Sequence, residues 1–486
     1  MARNLALSFL FLAGTATCLD PSESLRPLHQ EVDVAIVGAG LSGLAAGRAL
    51  QQANKKVMIL EARDRVGGRV ENFKLRNGGV TELGAAYVGP TQDHVLALAH
   101  DLGLTVFKEY DYGDNVLSIQ GQRTTYSADG GALPTIDAST GTAIASALGE
   151  LDTMAGTIDT SSPWSAENAT SWDSMTFQSW LDTNVQAAAV RDLFTISTGA
   201  IFSATPGELS LLYVLSYVAG AGNETTPGSL QRLVSVTGGS QESRIAGGTG
   251  LLATGLAEKI GSDSISLGSG VSKISCGADS KYTITTGKQT VVAKNVIVAM
   301  SPPLAARITY DPPLPAARDQ LTQRRFMGAL GKATAIYDRP FWRDANLTGQ
   351  AISDSGVVRS TFDVSPENAT YGAILGFIEA DEMRMYDAAS EQEIIDKVTQ
   401  DYVRYFGPKA ANATQWVIQR WDNEIWSRGG PVAVAGPGTI SKYGKAITSP
   451  VGGIHWAGTE ASPYWAGYMD GALRAGERAA AAVLKE

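Results

Sequence analysis

Three glycines and one glutamate near the start of the chain have the types and spacing needed to bind a phosphorylated nucleotide. Gly38, Gly40 and Gly43 form a G-x-G-x-x-G pattern, and Glu61 ends the next apolar run. The glycines allow a tight turn, a close approach of the backbone to phosphate oxygens, and close packing of a helix on a strand. A carboxylate at the position of Glu61 can accept hydrogen bonds from ribose hydroxyls. These residues predict a dinucleotide site.

The segments around these residues predict the elements that would position them. Residues 33–37 and 56–60 are apolar runs typical of buried strands, and residues 41–52 place apolar or small side chains at helical spacing. A helix that begins directly after the glycine turn presents free N–H groups and partial positive charge to a phosphate. We therefore expect an α/β fold with a Rossmann-like nucleotide-binding domain.

A segment rich in glycine and arginine follows Glu61 directly. Gly67 and Gly68 let the backbone lie close to a ligand, and Arg63 and Arg69 can offset the charge of a pyrophosphate. An enzyme that uses a free nicotinamide cofactor does not need this extension. The segment therefore disfavours a site for a free nicotinamide cofactor.

The extension resembles that of the flavin-dependent amine oxidase family, and further similar stretches follow along the chain in family order. The resemblance covers about residues 32–484. The loop that contains ELGAAYVGPTQ is similar to the loop beside the isoalloxazine ring in the monoamine oxidase branch. The stretches that carry the resemblance are residues 61–69, 82–92, 238–242, 247–248, 312–315, 331–332, 337, 339–342, 456–460 and 465–472.

The resemblance implies a two-domain, amine oxidase-like architecture. A discontinuous Rossmann-like FAD-binding domain would be joined to a mixed α+β substrate domain. We assign residues 1–18 to a signal peptide. The predicted domain segments are 31–106, 245–318 and 424–486 for FAD, and 107–244 and 319–423 for the substrate.

The resemblance also implies which residues hold the FAD. They come from both ends of the chain, since the glycine turn and its extension lie near the N-terminus and the W-A-G-T-E segment lies near the C-terminus. The predicted cofactor-binding residues are Gly38, Gly40, Leu41, Ser42, Gly43, Glu61, Ala62, Arg63, Gly67, Gly68, Arg69, Gly84, Ala85, Ala86, Tyr87, Val271, Gly458, Glu460, Gly467, Tyr468 and Met469.

Two residues are implied as catalytic by the same resemblance. Lys332 matches the family lysine that holds a water at flavin N5, where a cation also stabilises negative charge on the reduced flavin. Tyr468 matches one wall of the aromatic cage in front of the flavin, which guides and desolvates an amine nitrogen. Tyr87, Gln241 and Trp465 are predicted to contact the substrate.

The chain departs from the monoamine oxidase pattern at two neighbouring positions. Gly430 and Pro431 stand where those enzymes have the flavin-linked cysteine and the second cage tyrosine. We therefore expect non-covalent FAD and an aromatic cage that lacks its second tyrosine. L-amino acid oxidases carry an arginine that binds the substrate carboxylate in the loop that here reads Gly84-Ala85-Ala86-Tyr87. The absence of an arginine from this loop disfavours an amino-acid substrate. It does not exclude one, because Arg428 could bind a carboxylate from another position.

The expected reaction is oxidation of an amine C–N bond to an imine, which hydrolyses to a carbonyl compound. Oxygen would accept the electrons and form hydrogen peroxide. One alternative is the same fold acting on an L-amino acid, a polyamine or a secondary-metabolite intermediate. A second alternative is a flavin-binding protein without turnover.

Composition and charge restrict the partners. The net charge of −10 disfavours nucleic acid and anionic membranes. The four histidines have no metal-ligand spacing, so no metal is expected. No apolar anchor is visible at the C-terminus, and we expect a soluble protein whose oligomeric state stays open.

The N-terminus and the sequons predict entry into the secretory pathway, with an extracellular location. Arg3 precedes an apolar run over residues 5–13, after which small residues follow. If cleavage follows Cys18, only Cys276 remains and no internal disulfide can form. The chain contains N-x-Thr sequons, which are candidate glycosylation sites, at Asn168, Asn223, Asn346, Asn368 and Asn412.

Overall fold

The computed structural model describes residues 28–128, residue 134 and residues 137–486. The predicted signal peptide, residues 1–18, lies outside the described residues. The strands, in chain order, are β1 (Leu28–Val37), β2 (Val57–Leu60), β3 (Asn72–Lys74), β4 (Val80–Glu82), β5 (Tyr87–Val88), β6 (Val106–Lys108), β7 (Asp114–Ile119), β8 (Gln122–Ser127), β9 (Ser243–Ile245), β10 (Ile265–Ser266), β11 (Val271–Cys276), β12 (Tyr282–Thr286), β13 (Gln289–Val298), β14 (Thr309–Asp311), β15 (Arg325–Met327), β16 (Leu330–Tyr337), β17 (Leu347–Ser353), β18 (Ser360–Asp363), β19 (Gly372–Glu379), β20 (Gln415–Arg420), β21 (Ala433–Ala435) and β22 (Ile454–Trp456).

The α-helices vary from single turns to more than four turns. In chain order they are α1 (Leu41–Gln52), α2 (Asp93–Asp101), α3 (Ala138–Ala155), α4 (Ala169–Asp173), α5 (Phe177–Asn184), α6 (Ala188–Phe202), α7 (Leu211–Ala219), α8 (Leu230–Val234), α9 (Gly250–Ile260), α10 (Pro302–Ala305), α11 (Ala316–Arg324), α12 (Ala380–Met385), α13 (Glu391–Phe406), α14 (Ile440–Tyr443) and α15 (Met469–Val483).

The first large sheet carries the glycine turn. Its strand order is β10-β2-β1-β13-β12-β11-β14, with β22 also paired to β13. β10, β2, β1, β13 and β22 run parallel, and β12 is antiparallel to its neighbours. Buried side chains of α1, α9 and α15, including Leu44, Leu252 and Leu473, pack in one cluster with Ile36 of β1. The carboxyl end of β1 therefore opens directly into the turn at Gly38.

The second large sheet is mostly antiparallel. Its order is β20-β16-β19-β18-β17-β7-β8, and only the β17–β7 pair in it is parallel. Ala333 of β16 faces α13, where the hydroxyl of Tyr402 donates to its carbonyl oxygen over 2.8 Å. Because side chains alternate along a strand, Lys332 points to the opposite face. A separate helical core, which includes Leu151, Val190 and Leu215, packs beside this sheet.

The elements predicted around the glycine turn agree with the structure. The predicted helix is α1, and the two predicted strands correspond to β1 and β2. The sequence did not predict the hairpin formed by β7 and β8. Strands of the first sheet come from three separate parts of the chain, as a discontinuous domain requires, while the assigned domain boundaries remain a prediction.

The described residues include neither a membrane-spanning helix nor a metal-binding cluster. None of the helices there is both long enough and apolar enough to cross a bilayer. No group of histidine, cysteine, aspartate or glutamate side chains in this part of the chain could hold a metal ion.

Candidate active site

A cavity of about 650 Å³ runs between the two large sheets. Its first end is formed by the glycine turn after β1 and by Glu61. Its second end is formed by one face of the seven-stranded sheet together with α6 and α7, which contribute Ile196 and Tyr217. The cavity therefore connects the predicted nucleotide site to a second chamber. We call it the aromatic chamber, because its wall includes Tyr87, Tyr217, Phe362, Phe377 and Tyr468.

The glycine turn leaves backbone exposed to a ligand. Gly38 has a φ of +100°, and a Cβ atom there would lie 2.8 Å from the carbonyl oxygen of Ala299. α1 begins directly after Gly40 with no side-chain cap and no acidic residue in its first turn. Its N-terminal N–H groups and its dipole are thus available to phosphate oxygens.

Glu61 is held rigidly at the end of β2. Its Oε2 accepts a hydrogen bond of 2.7 Å from the N–H of Ala39, and its Oε1 accepts one of 2.9 Å from the N–H of Arg63. The side chain is buried and lines the cavity. A fixed carboxylate in this place suits the two hydroxyls of a ribose.

An ion pair links the arginine-rich extension to the C-terminal segment. Arg69 donates from Nη1 to Oε1 of Glu460 over 2.9 Å and to the carbonyl oxygen of Pro431 over 2.6 Å. Burial alone would raise the pKa of Glu460, but the charge of Arg69 and its hydrogen bond hold that pKa below its usual value. Glu460 lies behind Arg69 rather than on the cavity wall, so it positions the guanidinium.

Buried polar atoms on the wall indicate that a ligand completes the site. The hydroxyl of Tyr87, Oε1 of Gln241 and Oγ of Ser301 have no hydrogen-bond partner within the described part of the chain, and all three residues line the cavity. Such atoms are costly unless a ligand or water pairs with them. Together with the glycine turn, fixed Glu61 and Arg69, they fit a bound FAD.

Lys332 lies on β16 and its ammonium group is deeply buried. Nζ donates to the carbonyl oxygens of Glu82 and Gly84 over 3.0 and 2.7 Å. An ammonium has three N–H donors, so one is left for the cavity among the contacts of the described residues. Burial lowers the pKa of Lys332 to about 8, with Arg244 lowering it further and Glu82 partly opposing the shift.

A buried charge cluster, composed of Arg244, Glu82 and Glu109, supports this region from behind. Arg244 lies 3.3 Å from Oε2 of Glu82 and 3.6 Å from Oε2 of Glu109. Burial raises the pKa of Glu109 to about 8, although Arg244 acts to lower it. The cluster places the Glu82 carboxylate close enough to Lys332 to stabilise its charged form.

Tyr468 projects into the cavity from the turn before α15. Its ring contacts Trp465, with centroids 4.9 Å apart and nearly perpendicular planes, and lies 6.2 Å from the ring of Tyr217. Burial raises the pKa of its hydroxyl to about 12, and the neighbouring Ser240 side chain acts to lower it. The ring is therefore fixed and the phenol stays neutral.

Trp465 is the predicted substrate contact that the structure does not place on the wall. It is buried behind Tyr468, and its ring N–H donates to the carbonyl oxygen of Thr91 over 3.1 Å. It supports the Tyr468 ring instead. Gly43 is also absent from the wall, because a Cβ there would lie 1.9 Å from the carbonyl oxygen of Gly38, which makes it a packing position.

The other predicted site residues all line the one cavity. They are Gly38, Gly40, Leu41, Ser42, Glu61, Ala62, Arg63, Gly67, Gly68, Arg69, Gly84, Ala85, Ala86, Tyr87, Gln241, Val271, Lys332, Gly458, Gly467, Tyr468 and Met469. Their roles remain predictions, but the structure brings them together from distant parts of the chain.

Sequence reasoning missed several wall residues of the aromatic chamber. These are Asp111, Tyr217, Gln350, Phe362 and Phe377. Only the alternation of side chains along β18 and β19 could have indicated Phe362 and Phe377. That alternation does not show which face of the sheet packs against helices and which faces the cavity. The ring of Tyr217 lies next to that of Tyr468, with centroids 6.2 Å apart.

Comparisons with known proteins agree with this site. The family profile described as flavin containing amine oxidoreductase matches residues 41–484. The flavin-containing amine oxidase B of Cavia porcellus is 33% identical over 94% of this chain and 87% of that protein. An L-amino acid dehydrogenase of Synechocystis is 35% identical over 96% of this chain and 98% of that protein.

A solved structure has the same fold. A putrescine oxidase bound to putrescine superposes with a TM-score of 0.89 at 32% identity, covering 94% of this chain and 100% of that one. These matches confirm the predicted fold class, the use of FAD and amine oxidation as the activity. The chain belongs to the flavin-containing amine oxidoreductase family.

Proposed function

We propose that this enzyme oxidises amines with molecular oxygen as the electron acceptor and releases hydrogen peroxide. The observation that carries the proposal is the buried ammonium of Lys332 on the wall of the same cavity as the glycine turn and Tyr468. FAD, when bound, accepts the two electrons of the amine carbon. A nearby cation favours the transfer of electrons onward to oxygen, because it stabilises developing negative charge.

The chamber residues act mainly on the protonation and orientation of the substrate. Tyr468, Tyr217, Phe362 and Phe377 give it a wall of low polarity. Such surroundings disfavour an ammonium and favour the neutral amine, which is the form that can release hydride. Ring faces also orient the nitrogen. Few reacting side chains are then needed.

A second candidate substrate is an L-amino acid, since the Synechocystis relative is named for that activity. An amino-acid site needs a cation for the carboxylate. Arg428 is exposed and is not a wall residue. The arginines on the wall, Arg63, Arg69 and Arg307, accompany the nucleotide end. This arrangement favours amines that lack a carboxylate.

A peroxide-coupled screen of alkylamines, arylalkylamines and L-amino acids tests the proposal. We expect turnover with amines and little with L-amino acids. Turnover restricted to amino acids would reject the amine assignment. Bleaching of the flavin by amines without peroxide release would show that oxygen is not the acceptor.

We infer that the FAD is held non-covalently. Cys276, the free cysteine of the described chain, is exposed on β11 and is not a wall residue. Gly430 and Pro431, at the place of the family tether, line the cavity and offer no nucleophile. Acid precipitation should leave the yellow colour in the supernatant, and colour in the pellet would contradict this inference.

We also propose that the enzyme enters the secretory pathway and becomes N-glycosylated. The apolar segment over residues 5–13 supports this proposal. Asn168, Asn346, Asn368 and Asn412 are exposed, as acceptor sites require. Expression with the native leader in a eukaryotic host should yield protein in the culture medium. Its mass should fall after amidase treatment, because the enzyme removes N-linked glycans. Retention inside the cell without glycan would contradict the proposal.

A further inference from the structure

Asp111 introduces a carboxylate into the aromatic chamber. Within the described part of the chain, it and Lys332 are the charged wall residues that do not accompany the nucleotide end. The remaining polar groups there are neutral. Because the other wall groups of the chamber, apart from Lys332, are apolar or neutral, this carboxylate changes which substrates the chamber can accept.

Among the described residues, only neutral groups donate hydrogen bonds to the carboxylate of Asp111. Oδ1 accepts a hydrogen bond of 2.8 Å from Nε2 of Gln350, and Oδ2 accepts one of 2.8 Å from Oγ1 of Thr237. Asp111 makes no ion pair with a described residue. Each carboxylate oxygen has a further lone pair, so Asp111 retains capacity for a cation. Thr237 is exposed, which places the group at the mouth of the cavity.

The strand register gives the distance between Lys332 and Gln350, the residue that bonds to Asp111 at the mouth of the cavity. Lys332 pairs with Phe377, Phe377 with Ser360, and Ser360 with Ile352. Gln350 lies two residues before Ile352 on β17. Neighbouring strands are spaced by nearly 5 Å, so three steps separate the strand of Lys332 from that of Gln350 by about 14 Å.

The wall between these two points is largely apolar, and the polar group on the path between them, the hydroxyl of Ser360, is neutral. Ile352, Phe362 and Phe377 come from three successive strands, and all line the cavity. The rings of Phe362 and Phe377 are in contact, with centroids 5.9 Å apart. A surface of this kind suits a methylene chain, because it removes apolar area from water without requiring hydrogen bonds.

We propose that Asp111 binds the distal ammonium of a long α,ω-diamine or polyamine whose other end is oxidised beside Lys332. The inference rests on the proposed function and names its substrate class. The reacting nitrogen enters the aromatic region as the neutral amine. The distal nitrogen stays charged at the mouth, where the carboxylate of Asp111 replaces part of its hydration.

The test is a ladder of α,ω-diaminoalkanes, each compared with the n-alkylamine of the same length. We expect kcat/KM to favour the diamine once the chain is long enough to reach Asp111. The Asp111→Asn variant keeps the shape and can still bond to Gln350 and Thr237. It should lower the ratio of kcat/KM for a long diamine to kcat/KM for the matched alkylamine by about tenfold or more.

A charge control separates a local effect from a general one. Glu258→Gln removes the same charge from the exposed surface of α9 and should leave the diamine preference intact. Added salt should raise KM for long diamines more than for alkylamines in the parent enzyme, and this difference should vanish in Asp111→Asn.

Two results would overturn the inference. One is an equal diamine-to-alkylamine ratio in the parent enzyme at every length. The other is an unchanged ratio in Asp111→Asn. Both require turnover of alkylamines, so they differ from failure of the proposed function, in which no amine would be oxidised.

Discussion

The ammonium of Lys332 donates a 2.7 Å hydrogen bond to the carbonyl oxygen of Gly84. This contact ties β16 of the seven-stranded sheet to the loop that lines the predicted flavin site. The lysine is therefore positioned by backbone atoms, which cannot rotate away as side chains can. The third N–H of the ammonium faces the cavity, where a water or a reduced flavin can accept a hydrogen bond from it.

Removing this charge should slow the oxidative half-reaction specifically. Lys332→Met retains the apolar stem of the side chain but lacks the ammonium. We expect FAD binding and anaerobic reduction by substrate to persist, while reoxidation by oxygen slows by about 100-fold. Stopped-flow mixing of reduced enzyme with oxygen measures this rate. Unchanged oxygen kinetics would remove the role assigned to Lys332.

The pKa of Lys332 predicts a dependence on pH. Burial lowers that pKa to about 8, so the ammonium is charged below this pH and becomes neutral above it. The rate of reoxidation should therefore fall as the pH rises through about 8. Lys332→Arg should not show this fall, because a guanidinium remains protonated. A flat profile in the parent enzyme would contradict the assignment.

The Tyr468 ring should contribute to substrate use through its face and not through its hydroxyl. Tyr468→Phe keeps the ring over Trp465 and should retain most of kcat/KM. Tyr468→Ala removes the ring and should lower kcat/KM roughly tenfold, in line with a loss of ~1.4 kcal/mol of aromatic contact. Steady-state kinetics on one preferred amine compare the two. Equal losses would instead assign the effect to the hydroxyl of Tyr468.

Apart from Gly43 and Glu460, the residues predicted for the nucleotide end of the site line the cavity in the structure, and the sequence signals that indicated them are local. The glycine turn and Glu61 depend on a single strand–helix–strand unit, and a few neighbouring residues specify it. Tyr217 and Asp111 could not be found in this way. They reach the cavity through the packing of α7 and the register of β17 against β7, which are contacts between distant segments.

The differences between the structure and the sequence predictions also have physical reasons. Trp465 lies in a motif that continues to Tyr468, but the turn between them places one ring in front of the other. β8, which reads Gln-Arg-Thr-Thr-Tyr-Ser, is exposed along most of its length, so it carries no apolar alternation for sequence reasoning to detect. Resemblance supplied Lys332, since a lone lysine in a buried strand has no pattern of its own.

The ion pair between Arg69 and Glu460 should stabilise both the fold and the bound cofactor. Arg69→Ala would leave the buried Glu460 carboxylate without its cation, which costs roughly 3 kcal/mol. We expect a lower melting temperature and weaker FAD retention on gel filtration. Arg69→Lys keeps a charge and should recover part of the stability but less of the FAD binding, because it cannot reach Glu460 and Pro431 together. Full FAD retention in Arg69→Ala would contradict this.

Glycan occupancy should differ between the sequons of a secreted product. Asn223 is half-buried, and its Nδ2, the atom that would carry a glycan, donates to Oδ2 of Asp93 over 2.6 Å. Its Oδ1 also accepts from the N–H of Thr226 over 2.8 Å. A glycan there would break the contact to Asp93, whereas Asn168 and Asn368 are exposed. We therefore expect Asn168 and Asn368 to be glycosylated and Asn223 to be unmodified.

Peptide mapping after amidase treatment in heavy-oxygen water measures the occupancy of each sequon, because each released glycan leaves a labelled aspartate. Asn223→Gln should leave the glycan mass unchanged, while Asn368→Gln should remove one glycan. The first variant also loses the local hydrogen bonds of Asn223 and serves as the control for folding, since its secretion yield reports any loss of stability. A labelled aspartate at position 223 would show that the sequon is modified before the contact with Asp93 forms, and that the folded geometry does not govern occupancy.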